Sequence, residues 1–211
     1  QNPAAIKLPT DAEIEQIIAS GTIVSMTLAP EHFTEAQLSK LEAADIRLCF
    51  GHSGAGYEEA HGFFVKHPKS VMTHTFNAMK GIHHREPGPV PAAIETDTFM
   101  ELIADGIHVH PAAARLIPQD RLILVTDAIE ATGQPDGDYL LGGVPIRVSE
   151  GVARTESGSL AGSTLKLVDA VRNCAQFSGS QLAAMRAAVT NPAEAYGLAE
   201  QEITVGNHFL I

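Results

Sequence analysis

Four short apolar runs in this chain break off into a histidine or an aspartate, and helix-like segments separate them. Residues 46–50 (IRLCF) lead into Gly51-His52-Ser53, and residues 71–74 end on His74. Residues 100–109 (MELIADGIHV) carry His108, and residues 121–126 (RLILVT) give way to Asp127. An earlier run, residues 22–28 (TIVSMTL), belongs to the same series. Uninterrupted apolar runs of this length suit strands buried on both faces. The spacing predicts helices over 34–44, with Thr34 as the N-cap, and over 57–64, 91–96 and 111–116. Strand–helix units joined by short connections predict an α/β fold with a parallel sheet. In such folds chemistry gathers at the carboxyl ends of the strands, so His52, His74, His108 and Asp127 are expected on one face.

After residue 126 the pattern changes. Residues 139–148 (YLLGGVPIRV) read as a hairpin around Gly142-Gly143. Helices are predicted over 165–176, 180–188 and 192–198, the last with Pro192 in its first turn. No internal repeat or low-complexity tract interrupts the 211 residues. The net charge of −11 argues against a nucleic-acid partner, which calls for a basic face. An anionic small-molecule substrate would instead need its own local cation. No run has the length of a membrane span. Cys49 and Cys174 lie far apart without metal-binding spacing and are expected as reduced thiols of a cytoplasmic protein.

The stretch Gly51-His52-Ser53-Gly54-Ala55-Gly56 admits three chemistries. A nucleophilic Ser53 would sit in G-x-S-x-G, but Ala55 stands where the second glycine belongs, and Asp127 and His108 come in the reverse of the expected triad order. A phosphate cradle would need G-x-G-x-x-G or a P-loop lysine, and neither is present. A metal site fits better, because His52 and His74 follow adjacent strands and imidazole is a good ligand for zinc and similar ions. Two histidines are one short of the three protein ligands a catalytic site uses. Asp127 can relay a proton or cap the following turn. Arg85, in His83-His84-Arg85-Glu86-Pro87-Gly88, can be solvated or grip a phosphate.

A set of motifs in fixed order narrows these alternatives. Gly51-His52-Ser53, Thr73-His74-x-Phe76-Asn77-Ala78-Met79, Arg85-Glu86-Pro87-Gly88, Ala104-Asp105-Gly106-x-His108-Val109, Val125-Thr126-Asp127-Ala128, Leu160-Ala161-Gly162-Ser163 and Thr190-Asn191-Pro192-Ala193 follow one another along nearly the whole chain. In these the chain strongly resembles the N-acetylglucosamine-6-phosphate deacetylase family of the amidohydrolase superfamily. The resemblance implies a TIM-like (β/α) barrel that hydrolyses the acetamide of N-acetylglucosamine 6-phosphate with a divalent metal. Zinc is the expected ion, with iron or another divalent ion as alternatives. It implies His52 and His74 as metal ligands and Asp127 as general base and then acid. His108 would help polarise the acetamide oxygen. Asn77 and Ala78 would bond the substrate, and Leu160, Ala161 and Gly162 would close over the sugar. Arg85 would bind the phosphate across a homodimer interface, which supplies the cation that an acidic protein needs.

The same resemblance sets expectations for what lies elsewhere. The family's metal-binding glutamate, its first barrel strands and a substrate-contacting histidine precede the part matched here. The chain is therefore expected to carry the central and C-terminal barrel in residues 1–199. Residues 200–211 would begin the small β-sandwich, most of which is absent. Two other functions are compatible with the same residues: a non-catalytic sugar-phosphate-binding fragment or relative, and a deacetylase of another N-acyl amino sugar.

Overall fold

The computed structural model describes residues 8–198; residues 200–211, expected to begin the sandwich, lie outside them. Helix α1 (Asp11–Ala19) opens the described chain. Thr10 and Glu13 form its capping box, in which each side chain bonds the other's backbone N–H. Strand β1 (Ser25–Leu28) follows, then a 3₁₀ turn (Pro30–His32) and α2 (Glu35–Ala43), capped by Thr34 and Gln37 in the same way. Gln37 also donates to Asp11 at 2.9 Å and so ties α1 to α2.

Four further strand units come next: β2 (Arg47–Phe50) with α3 (Tyr57–Lys66), β3 (Val71–Met72) with α4 (Pro89–Glu95), β4 (Phe99–Ile103) with α5 (Pro111–Ala114), and β5 (Leu122–Val125). All pair in parallel in the order β1-β2-β3-β4-β5. Every crossover therefore steps in the same direction. Right-handed crossovers that never reverse put their helices on one face of the sheet, which fits part of a (β/α) barrel.

The two faces differ accordingly. Leu28, Phe50, Met72, Met100 and Leu122 share one register line and join Leu41, Phe64, Val90 and Ala184 of the helices in the main core. The Phe50 ring lies 5.2 Å from that of Phe64 and 5.8 Å from that of Phe63. Such pairs each add about 0.5–1.5 kcal/mol beyond their burial, and here they seat the strand that leads to His52. On the other face Cys49, Val71 and Ile123 pack against Ala195, with Tyr196 beside them. Both belong to the last described helix, α8 (Thr190–Tyr196). That face also carries a carboxylate, Glu101, paired in register with Ile123.

Beyond β5 the chain builds an antiparallel meander of β6 (Gly137–Leu141), β7 (Val144–Ser149) and β8 (Val152–Thr155), with its own small core of Ile146, Val148, Ala153 and Ala161. Helices α6 (Leu167–Ser178) and α7 (Gln181–Ala188) return to pack on β5. Several strands are shorter than the apolar runs suggest. β1 starts at Ser25, opposite the first residue of β2, while Val24 is 72% exposed. β3 stops at Met72 because the backbone turns sharply at His74. Cys49 and Cys174 are both buried and free. No helix among the described residues is long and apolar enough to cross a membrane.

Candidate active site

β2, β3 and β5 end on Phe50, Met72 and Val125, and in each case the second residue beyond is the one that carries chemistry: His52, His74 and Asp127. All three have positive φ, at 53°, 30° and 49°. Phe76 at 75° and Ala78 at 49° join them, so five of the eight described non-glycine residues with positive φ lie just past β2, β3 or β5. Left-handed backbone costs side-chain-bearing residues about 1–3 kcal/mol and persists where surrounding contacts enforce it. Here the contacts are visible. Thr73 N–H continues the ladder onto Phe50 O, and Asn77 Nδ2 donates to His74 O at 3.0 Å and Thr75 O at 3.2 Å. Above β2, Thr27 and Thr73 bond each other at 3.0 Å across Gly51. A Cβ at Gly51 would lie 2.7 Å from Thr27 Cγ2, so glycine lets the two threonines meet.

The histidines face one another. His52 Nε2 and His74 Nε2 are 2.8 Å apart, and their rings meet edge to face. Partial burial, then the neighbouring His74, lower the His52 pKa against the pull of Asp127. His74 is buried, and its Nδ1 has no hydrogen-bond partner. The donor chemistry fits a divalent metal. Imidazole nitrogens are good ligands for zinc and similar ions, and two of them already meet here. Among the described residues no group of three or more His, Cys, Asp and Glu is arranged to hold a metal ion. The pair by itself is one ligand short of the three that a catalytic metal site uses.

Two carboxylates missed by the sequence reading shape this region. Glu101 Oε2 accepts the His74 N–H at 3.4 Å. Burial first, then the Asp127 charge, push the Glu101 pKa up to about 7, against the His74 hydrogen bond. Its signal was a lone acid inside the apolar run FMELI. Glu31, just past β1, accepts from Ser53 Oγ at 2.7 Å and Gly54 N–H at 2.6 Å. The Ser53 hydroxyl is therefore committed to holding a turn, and the amide that a phosphate would use is already bonded to a carboxylate of the chain. His52 is left as the chemical group of that stretch.

His108 follows β4 after a turn built on Asp105, whose Oδ2 meets His108 Nδ1 at 2.6 Å. Burial opposes charge on Asp105, but the His108 ring and the His108 and Ile107 amides outweigh it and hold the pKa below the ordinary carboxylate value. His108 and Gly162 line a shared cavity of about 230 Å³. Leu160 bridges to Arg154, Ala161 N–H bonds Ala153 O, and Ser163 N–H bonds Asp127 O at 2.8 Å, so the 160–163 loop ties β8 to the Asp127 turn. Ala78 is exposed. Arg85 is also exposed, on a loop where its guanidinium meets His84 Nε2 at 2.7 Å, and no recorded bond joins it to the histidine pair.

The loop offers a stability test. A Cβ at Gly162 (φ 62°) would stand 2.5 Å from Ile129 Cγ2 and 3.1 Å from Asp127 O. Gly162→Ala is expected to cost about 1–3 kcal/mol in urea or thermal unfolding. An unchanged midpoint would show that the loop yields without strain.

No family model matches the chain. It is 40% identical over 195 residues to the N-acetylgalactosamine-6-phosphate deacetylase of Escherichia coli O157:H7, covering 89% of this chain and 52% of that one. Over 130 residues it is 47% identical to an Escherichia coli K12 protein named "Putative N-acetylgalactosamine-6-phosphate deacetylase", covering 59% of this chain and 78% of the relative. The fold superposes with a TM-score of 0.86, at 36% identity, on a mutant N-acetyl-D-glucosamine-6-phosphate deacetylase from Mycobacterium smegmatis in complex with N-acetyl-D-glucosamine-6-phosphate. That match covers 94% of this chain and 55% of the other. The chain spans about half the length of most curated relatives it matches.

Proposed function

Because the chain belongs to the family of N-acetylglucosamine-6-phosphate and N-acetylgalactosamine-6-phosphate deacetylases, we propose that the whole protein removes acetate from a 2-acetamido sugar 6-phosphate. N-acetylglucosamine 6-phosphate is the first substrate to test. The observation that carries this reading is the placing of His52, His74 and Asp127 two residues past β2, β3 and β5 of one parallel sheet, with the two histidines in contact and Asp127 acting on the His52 charge. In this reading the five parallel strands are part of a closed (β/α) barrel. His52 and His74 hold a divalent ion, with zinc the first to test and iron or another divalent ion as alternatives, because imidazole suits several of them. When bound, that ion supplies Lewis acidity.

The chain's own residues do the rest. Asp127 takes a proton from the attacking water as its oxygen bonds to the acetyl carbon. The C–N bond then breaks, and Asp127 gives that proton to the departing nitrogen, leaving acetate and the 2-amino sugar phosphate. Asn77 keeps the His74 turn in place with its Nδ2 bonds while the 77–78 backbone offers contacts to the sugar. The 160–163 loop covers it, and its bond to the Asp127 backbone couples closure to the position of the base. Arg85 binds the phosphate from a neighbouring subunit of a homodimer, which suits its exposed loop. A cytoplasmic metabolic setting follows from a sugar-phosphate substrate.

Release of acetate from N-acetylglucosamine 6-phosphate by the full-length protein tests the reading, and binding without acetate release would favour a non-catalytic relative. Since three of the relatives are named for N-acetylgalactosamine, the 4-epimer is the second substrate to test. A higher kcat/KM for it would reassign the sugar. Arg85→Ala is expected to raise KM about 10- to 100-fold with little change in kcat, the worth of a charge-assisted pair. An unchanged KM would remove the phosphate from Arg85.

A further inference from the structure

β1 is the strand of the parallel sheet that leads to none of His52, His74, His108 and Asp127. What it leads to is a short, stiff 3₁₀ turn that carries Glu31. Pro30 fixes one torsion of that turn, and the His32 and Phe33 N–H groups bond back to Ala29 O and Pro30 O at 3.0 Å each. The Phe33 side chain packs against the main core. The Glu31 carboxylate is therefore held at a set place beyond the end of the β1–β2 ladder.

That ladder stops just short of the histidine. Past the last paired residues, Leu28 and Phe50, Gly51 N–H still reaches Leu28 O at 3.0 Å. His52 then turns into left-handed backbone, and the next two residues are gripped by Glu31. Its Oε2 accepts the Ser53 hydroxyl at 2.7 Å and its Oε1 accepts the Gly54 N–H at 2.6 Å. Ser53 is 3% exposed, and its Oγ accepts in turn the Ala55 N–H at 3.0 Å. His52 thus sits between two anchors, one of backbone and one of side chain, and both come from the β1 unit. Strained backbone at a site persists where its surroundings enforce it, and here the enforcing group is a carboxylate.

We propose that Glu31 is a positioning residue, whose carboxylate holds the Ser53-Gly54 turn and so aims the His52 ring at His74 for the two to bind one divalent ion. The proposal rests on His52 as a metal ligand; the tie between Glu31 and the turn does not.

Two variants of the full-length protein test it, with Co²⁺ as the probe because its visible spectrum reports the geometry of its ligands. Glu31→Ala removes both acceptors. It is expected to weaken Co²⁺ binding about 10- to 100-fold, the usual effect of losing a group that orients a metal ligand, and to change the visible band of the bound ion. Glu31→Gln keeps an acceptor for Gly54 but turns a donor toward Ser53, so its Kd should fall between those of the wild type and Glu31→Ala. A tie that serves stability alone would lower Tm and leave both the Kd and the spectrum of Glu31→Ala at the wild-type values, and that result overturns the proposal. If the wild type takes up no Co²⁺, the metal reading falls separately. The ring signals of ¹⁵N-histidine-labelled protein then decide this one. Glu31→Ala should shift those of His52 and leave those of His110, on α5, in place, and an unmoved His52 sinks the idea.

Discussion

Asp127→Asn in the full-length protein is expected to lower kcat for deacetylation by about 10²- to 10⁴-fold, the contribution of a positioned general acid–base. KM should move far less, because the group acts on protons and not on the resting sugar. Asparagine is a demanding control here. It matches the shape of aspartate and tolerates left-handed backbone, as the φ of 49° at this position requires. It also leaves the backbone carbonyl that Ser163 uses untouched. The melting temperature should therefore stay near that of the wild type, and a fall in rate can be read as lost chemistry. A kcat within a few-fold of wild type would make Asp127 a turn residue and remove the proton relay.

His74→Asn is expected to reduce bound metal, measured by elemental analysis after dialysis, from about one ion per site to a small fraction of that, with activity falling in parallel. A catalytic site keeps about three protein ligands, and removing one leaves too few to hold an exchangeable ion. His74 is the more informative of the two histidines because it is buried and its Nδ1 has no partner, so its ring lies where burial must be compensated. His52→Asn should act in the same direction. Full metal content in both variants would place the ion elsewhere and leave the 2.8 Å pair as a structural contact.

The parallel sheet and the residues past its strands were legible because both are local. An apolar run of four or five residues followed by a histidine announces itself without knowledge of its neighbours. The Thr34 cap was equally plain, and the Thr10-x-x-Glu13 box that starts α1 carried the same signal although it was passed over. What could not be read depended on distant partners. The motif spacing argued against a nucleophilic Ser53, but what its hydroxyl does instead could not be read, because its partner Glu31 lies 22 residues earlier. Glu101 was passed over, because only the sheet shows that it shares a face with Ile123 and reaches the His74 N–H. β8 was missed because residues 152–155 (VART) lack an apolar run, and only pairing with β7 makes them a strand. The cover that α8 gives to Cys49, Val71 and Ile123 belongs to tertiary packing alone.

The uniform direction of the strand order has one more consequence. In β2, β3 and β5 one position of each strand, Phe50, Met72 and Leu122, grips the helices, while the second residue past the strand, His52, His74 and Asp127, takes no part in that core. Reactivity is thereby stored at an address that can be found by counting, outside the part of each unit that maintains the architecture. An engineer could swap the group at one such address and leave the remaining units undisturbed. A lineage exploring new substrates could do the same, one position at a time.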